Sequence, residues 1–143
     1  MFFEDIKLNT EIEIEPVVIK KEKMLSFARD YDSRPIHTDE DYAKASPFGA
    51  LLAPGVMTFM SVWDKYLEQD VFGSEFLAGK STKIEWHKPV FAEDTLFGRA
   101  LITGKSERSA KNGIVEITFS VRNGKGETVL TNITEIIVRR KNK

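Results

Sequence analysis

The order of hydrophobic periods along this chain predicts an α+β fold, with helices laid on one face of an antiparallel sheet. Three observations carry that prediction. Between Lys21 and Glu68 the apolar residues mostly recur at helical spacing. After Gly79 the period changes to two. Asn-Gly pairs at Asn112-Gly113 and Asn123-Gly124 then mark hairpin turns, because both residues tolerate positive φ. Helices followed by a run of strands belong to an α+β domain rather than to alternating βαβ units.

Each element has its own local reason. Glu11 to Val18 starts as a strand, with Ile12 and Ile14 on one side and acids on the other, and Pro16 marks an edge or a bend. Lys21 to Tyr31 places Met24, Leu25, Phe27, Ala28 and Tyr31 on one helical face, without a good capping residue at its start. Asp32 to Asp39 reads as a loop, punctuated by Asp32, Ser33 and Pro35. Thr38 with Asp41 three residues on resembles a capping box for a short helix through Ala45. Ser46 to Gly55 is a second loop.

The longest apolar-faced helix begins near Pro54 or Gly55 and runs to about Glu68. Val56, Phe59, Met60, Trp63 and Leu67 form its expected inner stripe, and Thr58, Asp64, Lys65 and Glu68 take much of the other side. Four strands follow, around Ile84 to His87, Thr95 to Gly104, Val115 to Arg122 and Glu127 to Arg139. The expected turns are Lys111-Asn112-Gly113 and Asn123 to Gly126. The expected arrangement is a meander from residue 81 to 139 with the long helix packed against it.

Composition narrows the function. A chain of 143 residues fits one domain, residues 1–143, and a domain of this size buries roughly 68–70% of its unfolded surface, enough for a core without disulfides. Net charge is −1, which argues against a nucleic-acid binder relying on bulk charge. Cysteine is absent, so disulfides, thiolate metal ligands and a cysteine nucleophile are excluded. No apolar run approaches the ~18 residues of a transmembrane helix. The start, MFFEDIKLNTE, has acids where a signal peptide needs basic residues, so the expected location is cytoplasmic, with no membrane partner.

The stretch from Ala28 to Asp39 carries the candidate chemistry. It leaves a helix, turns through Pro35 and places Asp32 five residues before His37, one of only two histidines. A carboxylate and an imidazole on one tight loop can converge on a single water and suit acid–base work near neutral pH. The same residues also serve as an Asx turn and a half-buried loop histidine. His87, between Trp86 and Lys88 at a strand end, reads as a surface or interface histidine. The two histidines show no H-x-x-x-H spacing, so no metal site is expected. Arg139 to Lys143 reads as a frayed, solvated tail.

The run Tyr31-Asp32-Ser33-Arg34-Pro35-Ile36-His37-Thr38-Asp39, then Ala43 to Gly49, then Ala53 to Thr58, resembles the MaoC-like dehydratases, a family that includes the (R)-specific enoyl-CoA hydratases. Trp86-His87-Lys88-Pro89-Val90-Phe91-Ala92-Glu93-Asp94-Thr95-Leu96 resembles the family's Pro-Val … Gly-Asp-Thr-Leu strand entry. The resemblance implies the hot-dog fold, an antiparallel sheet wrapped around a long central helix. It also implies a homodimer or higher assembly of dimers, with acyl-thioester sites at the pairing interface. By position it makes Asp32 and His37 the catalytic pair for hydrating 2-enoyl thioesters or dehydrating (R)-3-hydroxyacyl thioesters. The substrate would be an acyl-CoA or acyl-carrier-protein thioester, with no metal or redox cofactor. The Gly55 amide is the implied donor to the thioester oxygen.

Three positions depart from the family pattern. Arg34 stands where Asn is usual before the Pro, and pairs with Asp32, contacts a CoA phosphate, or is a solvated loop charge. Pro54 stands where His is usual. Thr58 or Ser61 takes the place of a helix serine that supports the Asp. Phe27, Tyr31, Phe48, Met57, Phe59 and Phe72 are candidates for an acyl pocket. The competing functions are a hot-dog acyl-CoA thioesterase and a non-catalytic acyl-thioester binding subunit.

Overall fold

The computed structural model describes residues 1–141. After a 3-10 turn at Phe3–Asp5 come two short strands, β1 (Glu11–Glu13) and β2 (Val17–Val18). Four helices follow: α1 (Lys21–Tyr31), α2 (Pro35–Thr38), α3 (Glu40–Ala45) and α4 (Gly55–Leu67). The strands β3 (Phe76–Trp86), β4 (Thr95–Glu107), β5 (Asn112–Arg122) and β6 (Thr128–Arg139) complete the chain. They form one antiparallel sheet in the order β1-β4-β5-β6-β3, with β2 also on β4, and with α4 as the central helix this is the hot-dog fold.

The strand order corrects the expected meander. β4, β5 and β6 do run as a meander, but β3 pairs with β6 and not with β4. The connection from β3 to β4 has no tight-turn pair. Its backbone groups bind elsewhere: His87 N–H donates to Val129 O at 2.8 Å, Ala53 N–H to Val90 O at 2.8 Å and Glu93 N–H to Ile19 O at 2.7 Å. The chain therefore crosses the sheet end rather than doubling back. β3 becomes an edge strand, exposed along almost its whole length.

The core lies between α4 and the inner face of the sheet. Phe119 on β5 is fully buried and meets the Phe59 and Tyr66 rings edge-on, at centroid distances of 5.6 and 5.3 Å. Gly98 on β4 lets the helix approach: a Cβ there would lie 2.7 Å from Val62 Cγ1. This contact turns the helix away from the expected face. Met57, Thr58, Phe59, Val62 and Tyr66 are the buried residues, whereas Val56, Met60 and Leu67 are exposed. The apolar arc of α4 is wider than the expected stripe, because Val62 and Tyr66 extend it, and the buried part is the side that meets Gly98.

Local corrections have equally local causes. The residue that caps α3 is Asp39, whose side chain accepts the Tyr42 N–H at 3.1 Å; the Thr38 hydroxyl turns back to Ser33 O and Arg34 O. The loop of residues 32–39 contains the helical turn α2. Asn112 and Gly113 belong to β5, and the turn before them is held by Ser109 Oγ, which accepts the N–H groups of Lys111 and Asn112. The α1 start is capped from outside, by Glu93, whose carboxylate accepts the Lys21 N–H at 3.2 Å.

The C-terminal basic residues are anchored rather than frayed as far as Lys141. Arg140 donates to Glu4 at 2.9 Å, and Lys141 binds Asp5 at 2.6 Å. Asn142 and Lys143 lie outside the described residues. The Lys141 backbone N–H, then the Arg140 side chain, push the Glu4 carboxyl down to about 2.

Two outcomes follow from these contacts. Phe119→Ala should lower stability by about 3–5 kcal/mol in urea denaturation, because three rings lose their common partner. Glu4 has a depressed folded-state pKa, so its contribution is present above its ordinary value of 4.5 and is lost as pH falls through about 2. The difference in urea midpoint between wild type and Glu4→Ala should hold steady above that window and vanish below it.

Candidate active site

Asp32, Arg34 and His37 are placed by the junction of α1 and α2. α1 ends where the Asp32 N–H donates to Ala28 O at 2.8 Å. Pro35 opens α2, and a proline disfavours helical backbone in the residue before it. Arg34 is accordingly extended, with φ −57° and ψ 142°. Residues two apart in extended backbone share a side, so the Arg34 side chain faces Asp32. α2 then carries His37 inward, where it is 5% exposed.

The segment after α3 fixes the imidazole. Leu52 N–H donates to Ile36 O at 3.1 Å, and Leu52 bridges to Phe91. Its carbonyl lies 2.8 Å from His37 Nδ1. A carbonyl oxygen only accepts, so Nδ1 carries the hydrogen and the neutral ring presents a lone pair at Nε2. Nε2 lies 3.4 Å from Asp32 Oδ2.

Arg34 grips the carboxylate from its other side. Its Nε donates to Asp32 Oδ1 at 2.7 Å and its Nη2 to Oδ2 at 2.5 Å. The Arg34 hydrogen bond holds the Asp32 carboxyl below the ordinary carboxylate range, against some desolvation, with help from His37 when its ring carries a proton and from the Arg34 charge. Asp32 is therefore an acceptor-only group at neutral pH. A lone pair and a carboxylate oxygen facing each other can share one water, which donates an O–H to each.

These groups line a cavity of about 770 Å³. Gly55 and Thr58 at the start of α4 form part of its wall, with Phe27, Tyr31 and Phe48. Of the acyl-pocket candidates, Met57, Phe59 and Phe72 lie elsewhere: all three are core residues. Thr58 and Ser61 do not support Asp32. Their hydroxyls donate to Gly55 O at 2.6 Å and Met57 O at 2.8 Å.

The sequence reading missed one wall, the Trp86–Val90 segment, and it set His87 outside the site. His87 lines the cavity and its Nε2 lies 2.9 Å from Thr131 Oγ1. His37 and His87 belong to no metal-binding cluster: among the described residues, no group of three or more His, Asp and Glu is arranged to hold an ion. Trp86 packs against Gly55 so closely that a Cβ on Gly55 would lie 2.5 Å from the indole. The strand-entry motif before Pro89 was the available signal for this wall.

Residues 5–124 match the family model described as the MaoC like domain. The chain belongs to the MaoC-like family. A monoamine oxidase regulatory protein from Archaeoglobus fulgius superposes on this MaoC-like chain with a TM-score of 0.93 and 28% identity, covering 99% of this chain and 96% of that one. The HadBC (3R-hydroxyacyl-ACP dehydratase) complex of Mycobacterium tuberculosis gives a TM-score of 0.77 and 26% identity over 91% of this chain and 96% of the other. The uncharacterized protein YdeM of Bacillus subtilis is 24% identical over 123 residues, 85% of this chain and 87% of its own length. No helix among the described residues is long and apolar enough to cross a membrane.

The contact between Gly55 and Trp86 is directly testable. Trp63 and Trp86 are the only tryptophans, so Trp63→Phe leaves Trp86 as the sole indole. In that background Gly55→Ala should shift the Trp86 emission maximum while leaving the far-ultraviolet circular dichroism unchanged. An unmoved spectrum would contradict the packing.

Proposed function

We propose that this protein hydrates 2-enoyl thioesters, or runs the reverse dehydration of (R)-3-hydroxyacyl thioesters, with His37 as the base. The observation that carries this reading is the fixed imidazole: Nδ1 is bound to Leu52 O, which leaves Nε2 open beside Asp32 in the cavity. His37 Nε2 takes a proton from the water that it shares with Asp32. The water oxygen bonds to C3, and the double-bond electrons move onto the thioester oxygen. The enolate then collapses as C2 receives the proton from Nε2, so one water has been added and the imidazole is restored. Asp32 holds the water and the developing imidazolium.

The enolate oxygen needs donors in a water-poor place. Gly55 is the first residue of α4, where a backbone N–H has no partner within the helix and the dipole favours negative charge. Gly55 is thus the proposed thioester contact. The reaction uses acid–base groups and an oxyanion site, and calls on no metal or redox cofactor. The thioester could be carried on CoA or on an acyl carrier protein. The relationship to a named hydroxyacyl-ACP dehydratase supports the reaction class.

A second copy of the chain completes the proposed assembly. β3 is a long edge strand with unpaired backbone groups, a natural template for another strand. Tyr31, Phe48, Val56 and Trp86 are exposed large apolar residues that line the cavity, and pairing through this side would cover them.

Crotonyl-CoA tests the reading. The conjugated thioester absorbance should fall without release of free thiol. His37→Ala and Asp32→Ala should each lower kcat by about 100-fold or more while the fold is kept. Thiol release would support a thioesterase instead, and binding without turnover a non-catalytic subunit.

A further inference from the structure

We propose that Arg34 is the positioning residue of Asp32, holding its carboxylate toward His37, and that it does not serve as a contact for the substrate's phosphates. This rests on the hydratase reading and concerns how that site is built. Three observations lead to it.

The first is the two-point contact. Arg34 Nε and Nη2 each meet a different Asp32 oxygen, at 2.7 and 2.5 Å. A planar guanidinium that meets both oxygens fixes the rotation of the carboxylate as well as its location. The oxygen on Nη2 is also the one 3.4 Å from His37 Nε2. The second observation is that no other side chain performs this task. Thr58 and Ser61 bind carbonyls of their own helix, and the Asp32 side chain has no hydrogen-bond donor other than Arg34 among the described residues. The third is the local backbone. Pro35 holds Arg34 extended, so the guanidinium meets Asp32 without distorting either helix.

The same geometry leaves Arg34 poorly suited to an external phosphate. Two of its donor nitrogens already point at Asp32. Drawing them away would free Asp32 to rotate just when the thioester binds. The other charged or titratable side chains on the cavity wall are Tyr31, His37, His87 and Lys88. Of these only His37 comes within ion-pair distance of Asp32.

The experiment compares Arg34→Gln and Arg34→Lys with wild type on two substrates: crotonyl-CoA, and a crotonyl pantetheine thioester without the nucleotide. The side chain is 72% exposed, so both variants should fold. Arg34→Gln should lower kcat by about 10- to 100-fold on both substrates with KM little changed, the cost of a misplaced catalytic group. Arg34→Lys, which keeps the charge but loses the fork, should recover part of that loss. A carbon-13 titration of the Asp32 carboxyl should move upward in Arg34→Gln.

A rise in KM confined to the CoA substrate would overturn the proposal and make Arg34 a phosphate contact. Full activity of Arg34→Gln would also overturn it. Should the wild type turn over neither thioester, the hydratase reading fails. The carboxyl titration would still decide whether Arg34 holds Asp32, and an unmoved titration would refute that hold.

Discussion

Close approach of α4 to the sheet is the constraint on which the rest of the molecule depends. Val62 occupies the space that a Cβ on Gly98 would fill, and the rings of Phe59 and Tyr66 close around Phe119. Once this face is fixed, the start of α4 is fixed too, and Gly55 arrives at the cavity wall. The segment just before it, around Leu52 and Ala53, is pinned to Phe91 and Val90. That segment supplies the carbonyl that orients His37. The packing of apolar surface, which is non-directional, thus ends in a directional result: one ring nitrogen occupied and the other open.

Arg34, Asp32 and His37 lead from solvent inward across the α1–α2 junction. Arg34 is mostly exposed, Asp32 is partly covered and His37 is buried. An exposed ion pair of this kind contributes little to stability, because water screens it and long side chains lose entropy. Its value lies in orientation, since a carboxylate gripped at both oxygens cannot turn away from the imidazole. The molecule therefore carries the pair at little cost to folding.

Much of this was legible in the residues, and the parts that were not share a cause. Asp32 and His37 lie on one short, proline-bounded stretch, where local spacing decides proximity. α1 was legible from its one-sided apolar face, but what caps its start was not, because the cap is Glu93, distant in sequence. The buried face of α4 was not, since Val62 and Tyr66 widen its apolar arc beyond the expected stripe, and Val62 against Gly98 decides which part of that arc is buried through a contact between distant elements. The place of β3 beside β6 was equally hidden, because no turn signal links β3 to any neighbour. His87 and Trp86 join the cavity only through that strand order. Arg34 had two chemically reasonable partners, and three-dimensional placement was needed to choose Asp32.

In the neutral ring of His37, the Nδ1–H bond to Leu52 O leaves the Nε2 lone pair facing Asp32. Nitrogen-15 NMR of the imidazole, recorded with the ring neutral, tests this most directly. The expected spectrum shows a protonated Nδ1 and a bare Nε2 on His37. The opposite tautomer, with the hydrogen on Nε2, would contradict it, because the lone pair would then sit on Nδ1 against Leu52 O and not on the nitrogen that faces Asp32.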